Sequence, residues 1–217
     1  QPSAGDHFQF LQQPILAGAD QKQTLTLLQF PSTFEPEAWS FTFYEGLIRY
    51  PAVEYQDLKL IELGCGIGWI SIAIALRYLP EKIYGLDINP KAVTCARLNL
   101  YLNGLDDDGE LIPLAGGKNL LQLVEFEQSD LCNHFDGKVD YFDRIIGCIP
   151  QVLNPEPEIM DNLVAESASD EYLQSLSNYT AQQGYIEDQF GLGLIARAVE
   201  QAIPLIKSNG KLILNLG

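Results

Sequence analysis

A glycine-rich turn between two apolar runs constrains this chain more than any other stretch. Residues 58–76 are predicted to form a buried strand, a turn that carries Gly64, Gly66 and Gly68, and an apolar helix. Alternate glycines permit positive φ and let the backbone come close to a bound molecule. A strand that leads through such a turn into a helix commonly holds a nucleotide-like cofactor. The dinucleotide pattern G-x-G-x-x-G would need a glycine where Trp69 stands, so the spacing argues against a dinucleotide.

The composition indicates a folded, acidic domain. At 217 residues, of which 47% are hydrophobic, the chain is long enough to bury a full core. Its net charge of −16 and its 13 lysines and arginines provide no basic stripe for a nucleic acid. No apolar run reaches the length of a membrane span. We therefore predict neither a nucleic-acid nor a membrane partner.

The cysteine pattern bears on metal binding and on the cellular compartment. The four cysteines show no C-x-x-C spacing, and the chain has only two histidines. Zinc clusters depend on such ligand spacings, so we predict no metal. Free thiols are typical of a reducing compartment, and we predict a cytoplasmic location.

Strand and helix patterns alternate along the rest of the chain. Strands are predicted at residues 58–63, 82–87, 121–127, 141–147 and 211–216, and helices at residues 69–79, 90–103 and 192–206. This alternation predicts an α/β fold with a doubly wound, mostly parallel, Rossmann-like sheet. Residues 1–50 are predicted to be an N-terminal lid or packing segment, and residues 51–217 the main domain. The last strand would expose an apolar sheet edge, so we expect the native chain to continue with further strands.

Acidic residues follow the second and third of these strands. Asp87 ends residues 82–87, where a carboxylate can accept both ribose hydroxyls of an adenosine. An N-cap role for Asp87 is less favoured, because Asn89 and Pro90 already provide a good helix start. Asp130 follows the third strand and is interpreted either as an acceptor for an adenine amine or as a solvated loop acid.

An aromatic segment precedes the first strand of the sheet. Residues 39–47 contain Trp39, Phe43 and Tyr44 within a short apolar stretch. The segment is predicted to be a helix that packs on the sheet, a lid of aromatic rings over the methyl end of the cofactor, or both.

The order of these features resembles the class I S-adenosylmethionine-dependent methyltransferases. In the release-factor glutamine and amino-adenine branches, the turn after the fourth strand reads Asn-Pro-Pro-Tyr, whereas here it is Cys148-Ile-Pro-Gln. Residues 39–47, 84–90, 147–155 and 187–198 resemble a more specific family, the methionine S-methyltransferases, and the likeness extends over about residues 7–217.

This resemblance implies a class I methyltransferase sheet and methyl transfer from S-adenosyl-L-methionine to the thioether of L-methionine. The products would be S-methyl-L-methionine and S-adenosylhomocysteine. A thioether sulfur carries lone pairs and no proton, so in-line displacement needs no general base. Two alternatives stay open: an N-methyltransferase that acts on a protein glutamine, and a non-catalytic adenosine-binding module. The expected partners are L-methionine and either further copies of the chain or a further domain.

The resemblance also implies roles for individual residues. Contacts around the cofactor are expected from Glu62, Gly64, Gly66, Gly68, Asp87, Ile88, Asp130 and Leu131. In this set Glu62 orients the turn, Asp87 holds the ribose, Ile88 packs on adenine, and Asp130 with Leu131 reads the adenine edge. Catalytic positions beside the methyl group are expected at Tyr44, Cys148, Ile149 and Pro150. The acceptor pocket is expected to include Tyr44, Gln151 and Asp188.

Overall fold

The computed structural model of the protein describes residues 8–31, 33–149 and 192–215. In chain order the elements are β1 (Gln9–Leu16), β2 (Lys22–Gln29), α1 (Ala38–Leu47), β3 (Lys59–Leu63), α2 (Trp69–Tyr78), β4 (Lys82–Asp87), α3 (Pro90–Gly104), α4 (Leu120–Leu123), β5 (Val124–Gln128), β6 (Phe142–Cys148), α5 (Gly193–Leu205) and β7 (Ile206–Asn215). No helix among the described residues is both long and apolar enough to cross a membrane.

The centre of the molecule is a five-stranded sheet in the order β5-β4-β3-β6-β7, and all of its neighbouring strands run parallel. The chain moves outward from β3 to β4 and β5, then returns to β6 on the other side of β3. The switch point therefore lies between β3 and β6, where ligands bind in such sheets. The predicted doubly wound, Rossmann-like α/β fold is confirmed.

The two central strands are apolar because helices cover both faces of the sheet. Leu60 and Ile61 on β3 and Ile145 and Ile146 on β6 are fully buried. Helix α2 is buried almost all round, as expected for a helix that packs between the sheet and other elements. The core thus holds the carboxyl ends of β3 and β6 rigidly at one edge.

Some element boundaries differ from those that the sequence predicts. Residues 121–123 lie in the short helix α4, because Asn119 and Gln122 form a reciprocal capping box. Strand β5 therefore begins only at Val124. Gly104 does not end α3 in a left-handed cap. It is the last helical residue, and a Cβ there would lie 2.4 Å from Leu121 Cδ1. Its role is close packing.

An antiparallel hairpin of β1 and β2 packs beside the main sheet, and β1 was not predicted. The outer edge of β2 is paired by side chains of α3. Asn103 Oδ1 accepts from Thr26 N (3.1 Å), and its Nδ2 donates to Thr26 O (2.9 Å). Asn99 repeats this pattern with Leu28 N (2.6 Å) and Leu28 O (3.0 Å). Two amides spaced one helical turn apart therefore replace a neighbouring strand.

The aromatic segment forms helix α1, as predicted. The helix starts at a capping box, in which Glu37 N donates to Ser40 Oγ (3.1 Å). Phe43 and Leu47 are buried in a core cluster that also contains the hairpin residues Leu25 and Leu27. Residues before β3 thus pack into the same core as the sheet.

Candidate functional site

A cavity of about 360 Å³ opens at the carboxyl ends of the strands, beside the switch point. Two groups of residues line it. We call the first the turn wall: it consists of Glu62, Gly64, Gly66, Asp87 and Ile88. We call the second the α1 wall: it consists of Phe34, Trp39, Cys148 and Asn215. Ile149, Leu131 and Ser129 also line the cavity. A volume of this size is in the range of small-molecule ligand sites.

The turn wall depends on backbone that only glycine adopts readily. Gly64 has φ +66° and Gly66 has φ +52°, both in the left-handed region. A Cβ on Gly66 would meet no atom within 4 Å, so its bare backbone faces open space in the cavity. A bound molecule can therefore approach this peptide closely.

Gly68 has a different role from the one predicted. It does not line the cavity, and it precedes α2 as the N-cap with φ +83°. A Cβ there would lie 2.5 Å from Phe126 Cζ and 2.8 Å from Ala96 Cβ. The third glycine therefore allows α2, α3 and β5 to pack closely and makes no contact with the cavity.

Asp87 ends β4 and holds the glycine turn. Its Oδ2 accepts from Gly66 N (2.9 Å), and its Oδ1 accepts from Asn89 N (2.9 Å). Burial raises the pKa of this carboxyl, while the N–H donors of Asn89, Gly66 and Ile88 lower it. Asn89 caps α3 by accepting from Lys91 N (2.9 Å), so Asp87 is not needed as the cap. The carboxylate has four lone-pair sites for these three N–H donors, so it retains acceptor capacity for a ligand hydroxyl.

Glu62 ends β3 below the turn and is 3% exposed. Its Oε2 accepts a hydrogen bond from the Ser71 hydroxyl on α2. Burial raises the pKa of Glu62 to about 8, and the neighbouring charge of Asp87 adds to this effect. The carboxyl thus ties β3 to α2 and contributes an ionisable group to the cavity.

The residues after β5 divide between the cavity and a half-buried ion pair with α5. Leu131 lines the cavity with a positive φ of 51°. Asp130 does not line it, and its carboxylate forms an ion pair with Arg197 on α5. Of the two residues predicted to read the adenine edge, the structure therefore brings Leu131 to the cavity and not Asp130. Composition alone did not reveal the Arg197 partner, because it is far away in the chain.

Tyr44 is also placed differently from the prediction. It is 6% exposed and does not line the cavity. Its hydroxyl accepts from Leu16 N (3.1 Å) and donates to Leu16 O (3.4 Å), and its ring lies 5.2 Å from that of Trp69. Burial raises the pKa of this phenol. Tyr44 therefore fastens α1 to β1, and the structure does not bring it to an acceptor.

Aromatic rings other than that of Tyr44 line the cavity: those of Trp39, Phe34 and Trp69. Trp39 in the first turn of α1 is 38% exposed, and Phe34 just before the helix is 44% exposed. Their rings meet edge to face, with centroids 6.4 Å apart. The Trp39 indole N–H donates to Glu37 Oε2 (3.1 Å). Trp39 was a candidate from the sequence, whereas Phe34 was missed because it stands alone between prolines.

Strand β6 delivers Cys148 and Ile149 to the cavity, as predicted. The Cys148 thiol accepts a hydrogen bond from Asn215 Nδ2 (3.2 Å). Burial raises the pKa of Cys148 to about 11, so the sulfur stays protonated near neutral pH. The predicted site residues Pro150, Gln151 and Asp188 lie outside the described residues. Asn215, at the end of β7, was not predicted.

The charge of the cavity has one sign. Among the described residues that line it, Glu35, Glu62 and Asp87 carry carboxyl groups, and none is a lysine or arginine. Together with the aromatic rings of Phe34 and Trp39, this environment favours a cationic ligand. The structure thus brings eight of the predicted site residues to one cavity: Glu62, Gly64, Gly66, Asp87, Ile88, Leu131, Cys148 and Ile149. Their individual roles remain predictions.

Comparison with known proteins shows that the sequence is similar to those of methyltransferases. The family model for ribosomal protein L11 methyltransferase (PrmA) matches residues 44–131. A methionine S-methyltransferase of Hordeum vulgare is 57% identical over 205 residues, which cover 94% of this chain and 19% of that protein. The methionine S-methyltransferase of Arabidopsis thaliana is 54% identical over 97% of this chain and 20% of that protein.

A more distant relative comes from Methanocaldococcus jannaschii. This putative protein N5-glutamine methyltransferase is 28% identical over 72% of this chain and 71% of its own length. The predicted resemblance to methionine S-methyltransferases is therefore confirmed, at about twice the identity of the glutamine relative. The chain spans about a fifth of the length of the curated methionine S-methyltransferases that it matches.

Proposed function

We propose that this chain transfers a methyl group from S-adenosyl-L-methionine to the sulfur of L-methionine, giving S-methyl-L-methionine and S-adenosylhomocysteine. The observation that carries the proposal is the identity of 54–57% to proteins named methionine S-methyltransferase across nearly the whole chain. The cavity at the switch point supports it, because its position, its glycine-rich backbone and its acidic lining suit a small cationic ligand.

The turn wall fits the methyl donor. When bound, S-adenosyl-L-methionine supplies an electrophilic methyl group on a positively charged sulfonium. Asp87 would accept the ribose hydroxyls, and the exposed backbone at Gly64 and Gly66 would lie against the amino-acid part. Ile88 would pack on the adenine. Burial raises the pKa of both Glu62 and Asp87, and a ligand that carries a sulfonium and an ammonium group would favour their ionised forms.

The acceptor chemistry requires little from the protein except that it positions the two reactants and excludes water. A thioether sulfur attacks with a lone pair and has no proton to lose, so charge only moves from one sulfur to another. Catalysis then rests on holding the two sulfurs in line and on excluding water. The thiol of Cys148 stays protonated near neutral pH, which limits its own competition as a nucleophile.

The α1 wall suits the sulfonium that forms on the acceptor. The rings of Trp39 and Phe34 are exposed towards the cavity. A cation over an aromatic face gains about 0.5–2 kcal/mol. Because the acceptor becomes cationic only as the methyl group is transferred, this attraction acts more strongly in the transition state than on neutral methionine sulfur.

Further parts of the proposal concern the cellular setting and the domain organisation. We propose a cytoplasmic location, supported by four free cysteines. We also propose that residues 1–50 act as a packing segment that brings α1 over the active site of the domain formed by residues 51–217. The association with further copies or a further domain stays a prediction.

The test is an incubation of the full-length protein with methyl-labelled donor and free L-methionine, followed by chromatography. The expected result is label in S-methyl-L-methionine, with one S-adenosylhomocysteine released per product. Label only in protein, in the presence of a release factor, would favour glutamine N-methylation. Donor binding by calorimetry without any labelled product would favour the adenosine-binding module.

A further inference from the structure

Asn215 is a polar residue of the cavity that neither the motif pattern nor the chemistry above has used. It stands at the end of β7, directly opposite Cys148 of β6 in the strand register. It lines the cavity as part of the α1 wall. Its side chain therefore lies at the opposite side of β3 from Asp87, away from the residues that would hold the donor.

The amide of Asn215 joins two separate elements. Its Nδ2 donates to Cys148 Sγ on β6 (3.2 Å) and, over a longer distance, to the Trp39 carbonyl in the first turn of α1 (3.5 Å). Both hydrogens of the amide nitrogen are engaged in this way. Trp39 is separated from Asn215 by 176 positions in the chain. The Asn215 amide therefore links the first turn of α1, which carries Trp39, to the end of β6, which carries Cys148.

We propose that Asn215 is a positioning residue for the methyl acceptor, and that it sets the width of the pocket between Trp39 and Cys148. The inference rests on the proposed function. The acceptor sulfur must lie between the aromatic ring and the end of β6 to meet the donor in line. If the amide link is lost, the first turn of α1 at Trp39 loses its hydrogen bond to β7, while Phe43 and Leu47 keep the rest of the helix in the core. The acceptor would then bind loosely, while the turn wall would be unaffected.

The test compares Asn215→Leu and Asn215→Asp with the parent, all in the full-length protein. Both side chains are branched at Cγ like asparagine, with the same number of heavy atoms, and neither can donate to Cys148 and Trp39. We expect KM for methionine to rise about tenfold and kcat to fall severalfold, because misplacement by about 1 Å can cost up to a hundredfold. The dissociation constant of the donor, measured by calorimetry, should stay within about twofold for Asn215→Leu.

Acceptor size provides a readout that a merely structural role would not change. Ethionine has one methylene more on sulfur than methionine, a difference for which a tight pocket discriminates by about 10- to 200-fold. A wider pocket in Asn215→Leu should reduce the preference for methionine over ethionine by about fivefold or more. Lys211→Met on the same strand is the matched control, because Lys211 pairs with Glu54 and does not line the cavity. It should keep the parental preference.

The outcomes separate this inference from the function on which it rests. A parent protein that forms no labelled S-methyl-L-methionine and binds no methionine overturns the proposed function and this inference together. An active parent with unchanged KM and unchanged acceptor preference in both Asn215 variants overturns the inference alone. A loss of donor affinity equal to the loss of acceptor affinity in Asn215→Leu also overturns it, because the effect would then be general.

Discussion

The two walls of the cavity are built in different ways. The turn wall consists of backbone and two carboxylates from β3, β4 and the turn between them, all within residues 62–88. The α1 wall is assembled from side chains on α1, β6 and β7, which are far apart in the chain. A wall made of backbone can serve any ligand that shares an adenosine group. A wall made of side chains from remote elements can change without disturbing the turn, so we expect it to determine the acceptor.

The glycines of the turn provide the strongest test of this contrast. Gly68→Ala should lower the free energy of unfolding by about 3 kcal/mol or more, since its Cβ would overlap Phe126 and Ala96 at a left-handed φ. Gly66→Ala should cost only about 1–2 kcal/mol, because only the backbone is strained and no atom lies within 4 Å. Urea unfolding of both variants checks the difference. Equal losses would mean that Gly68 does not have a special packing role.

Asp87→Ala should weaken donor binding at the turn wall and leave the residues of the α1 wall in place. Loss of two hydrogen bonds to a charged acceptor should weaken donor binding by about 100-fold or more. Calorimetry with S-adenosyl-L-methionine measures the change, and circular dichroism checks that the fold is kept. Asp107→Ala, in the exposed turn after α3, is the matched control and should bind normally. Unchanged donor affinity in Asp87→Ala would remove its assignment to the ribose.

Trp39→Leu should remove an aromatic face from the α1 wall and leave the residues of the turn wall in place. We expect kcat/KM for methionine to fall about fivefold to tenfold from the lost aromatic face, with donor affinity within about twofold of the parent. Trp39→Phe keeps an aromatic ring and should recover most of the activity. Steady-state kinetics with varied methionine makes the measurement. If leucine and phenylalanine behaved alike, the ring would act only as packing.

Tyr44→Phe should have the smallest effect, and it distinguishes a residue of the α1 wall from one behind it. The hydroxyl bonds only to the Leu16 backbone among the described contacts, so activity should stay within about twofold. The free energy of unfolding should fall by about 1 kcal/mol. Paired kinetics and urea unfolding test both values. A large loss of kcat at nearly normal stability would restore Tyr44 as a catalytic residue.

The same contrast explains how far the sequence could predict the molecule. Residues of the turn wall are close in the chain, and their spacing alone indicated Gly64, Gly66 and Asp87. Strand β4 has the predicted bounds because Pro80 and Asn89 delimit it on either side. Local patterns of this kind are dictated by backbone geometry, which a single sequence displays.

Other features depend on tertiary partners that no local pattern shows. Asp130 follows a strand, as a ligand-binding acid would, but its carboxylate forms an ion pair with Arg197 on α5, which is far away in the chain. Tyr44 and Trp39 are equally aromatic, and only the hairpin, whose first strand was missed, decides which ring faces the cavity. No local sequence pattern identifies Asn215, because its hydrogen-bond partners Trp39 and Cys148 lie on two other elements. The side-chain pairing of β2 by α3 was unpredictable for the same reason.

That pairing has a consequence for how the molecule comes apart. Asn99 bonds not only to Leu28 of the hairpin but also to the Ile67 carbonyl in the glycine turn (3.0 Å). One amide therefore connects the N-terminal hairpin to the loop that shapes the turn wall. Undocking of the hairpin would leave Asn99 Oδ1 without the Leu28 N–H that it accepts from, at a cost similar to that of a lost hydrogen bond. The hairpin and the glycine turn therefore share one anchoring side chain on α3, although they are separated in sequence.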